Sequence, residues 1–184
     1  MPQLFMNTLL ESDRVRLRPM KEEDAGLIVK WRNDPEIRKW LFSTTPMTVP
    51  SHLKWFHKPK ADRLDFIICL KDPEIPIGTV NYINIDFQNF KAEAGKMLGD
   101  RSQWGKGLAK EAFLLWLKFG FKQLSLRCIY VQTKVENINN IKLNERMGFK
   151  IKKSLKTMDE RVVDMSQVLV MELTKKDALQ NGII

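Results

Sequence analysis

Hydrophobic and polar positions change period several times along this chain. In RVRLRP (14–19) they alternate and end at a proline, which predicts a first strand. The next stretch, KEEDAGLIVKWRND (21–34), opens on acids, sets Leu27, Ile28 and Trp31 at helical spacing and stops at Asp34-Pro35. That predicts a helix with defined ends, because the residue before a proline is driven out of the helical region. PEIRKWLF and VPSHLKWFHK read as short helices or loops. LDFIICL, IGTVNYINI and KAEAGKML read as three consecutive strands, separated by KDPEIP and DFQNF turns.

The strongest helical signal covers 107–119, where Leu108, Ala112, Leu115 and Phe119 recur every three or four positions and Gly120 supplies a stop. LRCIYVQT predicts another strand. NINNIKLNERM predicts a second long helix, with Asn137 or Asn139 as its cap and Gly148 at its end. FKIKKSLK and VVDMSQVLVMEL predict a closing hairpin. The resulting order, β-α-α-β-β-β-α-β-α-β-β, implies an α+β fold with a mixed sheet of about seven strands flanked by helices. Neither a repeat nor a linker interrupts it, so one domain over 1–184 is expected.

Composition sharpens this picture in three ways. A chain of 184 residues that is 43% hydrophobic can bury a core without a metal or disulfide staple. Cys69 and Cys128 each lie in an apolar run, without the CxxC spacing of a zinc or redox site, and are expected as reduced core thiols. The N-terminus lacks a basic leader and the run AFLLWL is too short to span a bilayer, so a cytoplasmic address and no membrane partner are expected. The net charge of +9 raises nucleic acid, membrane surface and anionic small molecules as partners. Because the basic residues are scattered, without a polybasic block or a zinc-finger pattern, nucleic acid is not expected and an anionic ligand is the sharper reading.

RSQWGKGLA (101–109) places Gly105 and Gly107 just before the long helix. The third glycine of a dinucleotide fingerprint is missing, Lys standing at 110, and the Walker A spacing is absent. What remains is a glycine pair at a helix start, where unpartnered N–H groups and the positive helix dipole attract an anion, and where glycine lets it approach without a Cβ in the way. A diphosphate fits such a stretch.

With ENINNIKLNERMGFKIKK (136–153) one strand farther on, the chain resembles the GNAT family of N-acetyltransferases. Gly105, Gly107 and Ala109 match the family's pyrophosphate-binding motif. Asn137, Leu143, Glu145, Gly148 and Phe149 match the helix that flanks the pantetheine and thioester, and RVRLRPMKEEDA is similar to the family's first strand and helix. The resemblance spans roughly residues 12–173 and implies the family's fold, acetyl-coenzyme A as co-substrate and an amine as acceptor. It implies coenzyme contacts at Met97, Leu98, Trp104, Gly105, Lys106, Gly107, Leu108, Ala109, Asn137 and Asn144. The WGKGLA form is like the ribosomal-protein N-terminal acetyltransferase branch. Where many members carry a tyrosine general acid, this chain has Asn144, whose amide has no useful proton to give, so a hydrogen bond to the coenzyme is the role expected there.

The resemblance also makes Glu93 the candidate base that takes the amine proton through water, and alternation puts Glu93, Gly95 and Met97 on one face of their strand. Backbone N–H groups near Met97 or Leu98 are expected to polarise the thioester carbonyl. With no cysteine near either motif, direct transfer is expected and an acetyl-cysteine is not; nor do His52 and His57, together in one early segment, suggest a catalytic triad.

Acceptor choice falls to WRNDPEIRKWLFSTTPMTVPSHLKWFHK (31–58), rich in cations and aromatics, with Trp31 and Phe56 expected in the core. Arg32, Asn33, Arg38, His52 and Trp55 are the candidate substrate residues, since cations beside indoles suit an anionic, ring-bearing ligand. The pattern looks like the nucleotide-sugar branch of the family, which acetylates the 4-amino group of a UDP-linked amino-dideoxy sugar on the way to pseudaminic acid. The expected partners are therefore a small-molecule amine, a nucleotide sugar first among them, with homodimerisation left open. The rival readings are a protein N-terminal acetyltransferase, a non-catalytic coenzyme-A-binding module, and an acetyltransferase for other small amines such as antibiotics or polyamines.

Overall fold

The computed structural model describes residues 5, 8–43, 45–59, 61–152 and 168–184. The first strands are β1 (Leu10–Glu11) and β2 (Val15–Pro19), followed by α1 (Ala25–Asn33), α2 (Pro35–Arg38) and α3 (Val49–Phe56). Then come β3 (Leu64–Leu70), β4 (Ile75–Asp86), β5 (Lys91–Leu98), α4 (Leu108–Lys122), β6 (Cys128–Lys134) and α5 (Ile138–Arg146), closed by β7 (Lys150–Ile151), β8 (Val168–Thr174) and α6 (Lys175–Gln180). The strands form one eight-stranded sheet in the order β1-β2-β3-β4-β5-β6-β8-β7. Every neighbouring pair is antiparallel except β5 and β6, which are parallel.

The sheet is covered on both faces. On one, Val15, Leu17, Phe66, Tyr82, Ala92 and Ala94 pack with Phe113, Trp116 and Leu117 of α4. On the other, Ile67 and Cys69 of β3 and Met97 of β5 pack with Ile28 and Trp31 of α1 and Ile37 of α2. Trp31 is thus a core residue, while Phe56 is only half-buried. Burying an aromatic or aliphatic side chain of this kind stabilises by about 1.5–3 kcal/mol.

Several element limits differ from the sequence-based expectation, each for a local reason. Residues 21–34 begin as a tight turn at Glu22–Asp24 before α1, with Asp24 accepting from the Lys21 N–H at 2.8 Å and from both Arg18 terminal nitrogens at 2.8 and 2.7 Å. α4 runs through Gly120 to Lys122. Gly120 is not a stop but a contact point: a Cβ there would collide with the Tyr82 hydroxyl, which donates to the Trp116 carbonyl at 3.0 Å. β4 takes in Ile75 and Pro76 from the expected KDPEIP turn, and β1 and α6 were not foreseen. Of the expected closing hairpin, β7 and β8 are antiparallel partners, and 153–167 lie outside the described residues. Among the described residues no helix is long and apolar enough to cross a membrane.

Candidate active site

β5 and β6 pair only over Lys91↔Cys128, Ala92↔Ile129 and Glu93↔Tyr130. Beyond Glu93 the two strands part, leaving residues 94–98 of β5 along an open wedge. Gly99 N–H donates to the Ile77 carbonyl at 2.8 Å, which sets the alternation of the β4–β5 ladder. By that alternation the N–H of Met97 is directed at β4 and that of Leu98 away from it. Of the two expected carbonyl-polarising donors, Leu98 alone faces the wedge. The Leu98 carbonyl accepts from the Trp104 indole N–H at 2.9 Å, which ties the strand to the glycine loop.

In that loop Gly105 and Gly107 both have φ of +78°, the left-handed region that favours glycine, and Gly107 caps α4. The loop is clasped from below: Glu111 in the first turn of α4 pairs with Arg14 at 2.6 Å and accepts from the Ser12 hydroxyl at 2.8 Å, while Arg14 also donates to the Lys106 carbonyl at 3.1 Å. Between this loop and α5 lies a groove of about 320 Å³, lined on one side by Leu98, Gly105, Gly107, Leu108 and Ala109. Lys110 adds a cation at the start of α4. Asn139, Lys142, Leu143 and Arg146 line the other side, spaced three or four apart on one face of α5.

The remaining expected coenzyme residues sit elsewhere. Trp104 and Lys106 are exposed but do not line the groove; Lys106 reaches Gln103 at 3.1 Å. Asn137 is the cap of α5, its side chain accepting from the Asn140 N–H at 3.2 Å. Asn144 is the residue expected to hydrogen-bond the coenzyme. It is fully buried, its amide oxygen accepting from the Lys96 ammonium at 2.7 Å and its NH2 turned to the Met171 sulfur at 3.9 Å. Lys96, which sequence reasoning passed over, also lies over the Phe113 ring at 4.1 Å, and burial pushes its ammonium down to about 7.

Glu93 is the last β5 residue paired with β6 and stands where the strands part. It is buried, not an edge residue facing solvent, and its carboxylate accepts from the Gln132 amide at 3.0 Å and from Asn84 at 3.5 Å. Neighbouring Tyr130 is pushed up to about 12, by burial first and by the Glu93 charge second. Both cysteines are free and buried, and burial pushes each thiol up to about 11, so neither is a ready nucleophile at neutral pH.

The acceptor-side candidates divide. Arg32 and Arg38 are partly buried at the ends of α1 and α2. Asn33 has a structural duty that the sequence did not reveal: its amide brackets the backbone of Met47, donating at 2.7 Å and accepting at 2.8 Å. His52 faces the interior at 2% exposure, with its ring centroid 5.1 Å from that of Trp55. The cation stacked on Trp55 is Arg63, at 4.7 Å and held by Asp65, another residue missed from sequence.

A model of the acetyltransferase (GNAT) domain matches residues 14–150, about three-quarters of the 184-residue chain. The chain belongs to the GNAT acetyltransferase family. It is 31% identical over 176 residues, 91% of this chain and 97% of the relative, to an uncharacterised N-acetyltransferase, p20, of Bacillus licheniformis. A spermidine N-acetyltransferase from Vibrio cholerae, solved with coenzyme A and spermine, shares the fold with a TM-score of 0.75 at 22% identity, over 90% of this chain and 98% of that one. FdhC, a nucleotide-linked sugar GNAT solved in its apo form, shares it with a TM-score of 0.78 at 21% identity over 96% of both chains.

As a GNAT, the protein is an acyltransferase that moves acetyl from acetyl-coenzyme A to an amine. The groove has the donor set for that co-substrate: glycine backbone at a helix start and three cations for phosphates, and Leu98, Leu108 and Leu143 for an apolar arm.

Proposed function

We propose that this GNAT acetylates an amino group of a nucleotide-linked amino sugar, the 4-amino group of a UDP-linked amino-dideoxy sugar being the candidate acceptor. The observation that carries the reading is the charge of the acceptor-side segment. Residues 31–58 hold Arg32, Arg38, Lys39, Lys54 and Lys58 against Asp34 and Glu36. Both acids are engaged: Asp34 caps α2 and meets Arg101 at 3.6 Å, and Glu36 pairs with Lys39 at 2.5 Å. A polyamine needs free carboxylates, whereas a nucleotide diphosphate needs the cations that this segment supplies.

The chemistry follows from the residues at the wedge. Groove cations and loop amides hold the coenzyme phosphates, and the Leu98 N–H polarises the thioester carbonyl. Glu93, reached through water, takes the proton of the attacking amine. Transfer is direct, because the only sulfurs of cysteine are buried and hard to ionise.

Titration calorimetry of the protein saturated with coenzyme A tests the acceptor class. UDP is expected to bind, more weakly as salt is raised, and Arg38→Ala to weaken it by about tenfold or more, the effect of losing one charge-assisted contact. Binding of spermidine with none for UDP would contradict the reading.

A further inference from the structure

Lys96 occupies an unusual place. It lies on β5 beyond the last pair with β6, between Glu93 at the head of the wedge and Leu98 at the coenzyme groove. Leu98 is two residues on and on the same face of the strand, about 7 Å away along it. The partners of its ammonium are neutral: the Asn144 amide oxygen from α5 and the Phe113 ring from α4. Behind Asn144 stands Met171 of β8, also neutral. Glu93 alternates to the opposite face, where Gln132 and Asn84 hold it. One N–H of the ammonium serves Asn144, and a cation drawn out of water with only neutral partners among the described residues is costly to keep for structure alone.

We propose that Lys96 receives the leaving thiolate of coenzyme A. As the amine nitrogen bonds to the acetyl carbon and the carbon–sulfur bond breaks, the bond's electron pair passes to sulfur and the Lys96 ammonium gives sulfur a proton. The products are the amide and the free thiol; the amine's own proton goes to Glu93, and solvent returns one to the neutral Lys96. Asn144 is the positioning residue that aims the ammonium. The direction of proton flow is favourable, since an ammonium held down to about 7 is a stronger acid than an ordinary thiol near about 8.5.

The inference rests on acetyl transfer from a thioester, not on the nucleotide-sugar reading, and it is tested without any acceptor. With coenzyme A bound to the full-length protein, the ultraviolet absorbance of its thiolate is followed against pH. In Lys96→Arg, whose charge cannot be given up, the bound thiol is expected to titrate about 1–3 pH units lower than in Lys96→Met, as a cation within contact range dictates, while the wild type, whose ammonium is lost first, is expected to follow Lys96→Met. Coincident titrations of the Arg and Met variants would overturn the proposal. Because it cannot give up its proton, Lys96→Arg is also expected to lower kcat by about 10²-fold with any amine that is turned over. Wild-type turnover in that variant would overturn proton donation.

A thermal measurement checks the premise. An unfolded lysine holds its proton to about 10.4, the folded Lys96 only to about 7, so the cost of burying the charge is full below pH 7 and fades as pH rises to 10.4. The Tm advantage of Lys96→Met over the wild type is therefore expected to shrink between pH 7 and 10. A constant difference would show that the ammonium is not desolvated and would count against the proposal.

Discussion

Glu93 and Lys96 lie three positions apart on one strand and project to its two faces, so a single β-strand presents both a carboxylate and an ammonium to the place where β5 leaves β6. Glu93→Gln is nearly isosteric and keeps an oxygen for Gln132, so the fold is expected to survive. Its kcat is expected to fall by about 10²–10⁴-fold, the usual worth of general acid–base catalysis. A pH–rate profile identical to that of the wild type would remove Glu93 from the mechanism. The family resemblance made Glu93 a candidate, and alternation set the face of the strand that it shares with Gly95 and Met97. The same logic passed over Lys96: a lysine in a half-buried strand reads as a solvated chain end. Only the fold shows that its neighbours are Asn144, far along the chain, and Phe113. The bracket that Asn33 makes on the Met47 backbone was missed for the matching reason, since it leaves no trace in the local sequence.

Among the elements, α4 is the one that joins core and site, since its first turn carries the glycine loop and its last turns pack on β4. Gly120→Ala would drive a Cβ into the Tyr82 hydroxyl inside that packing, and a loss of about 1–3 kcal/mol is expected, read as a lowered Tm. Gly26→Ala, in α1 with nothing within 4 Å of the added Cβ, is expected to be neutral or to gain up to about 1 kcal/mol. Equal effects of the two would refute the packing role of Gly120. The helix itself was plain from its spacing of apolar residues, but its end was not. A glycine near the end of a periodic run signals a stop from sequence, and close approach to another element gives the same letter. The two-residue strands β1 and β7 carry too little pattern to separate from loop.

At the scale of the whole molecule, the alternating strands, the two long helices and the glycine pair made the α+β fold legible, because each is a local signal repeated in the right order. The splaying of β5 from β6, which makes the site, is a non-local event with no signature in either strand. The net charge of +9 spreads over the surface, yet near the site it concentrates on Lys110, Lys142 and Arg146 at the groove and on the 31–58 segment beyond it. On the proposed reading, coenzyme A uses the first set and a nucleotide sugar the second. The most direct test is thiol release from acetyl-coenzyme A, followed in parallel with a UDP-4-amino-sugar, spermidine and short peptides with free N-termini. A kcat/KM for the sugar at least about tenfold above the others, a difference of about 1.4 kcal/mol in transition-state stabilisation, is the predicted result. Turnover of spermidine or peptides with none of the sugar would contradict the nucleotide-sugar account.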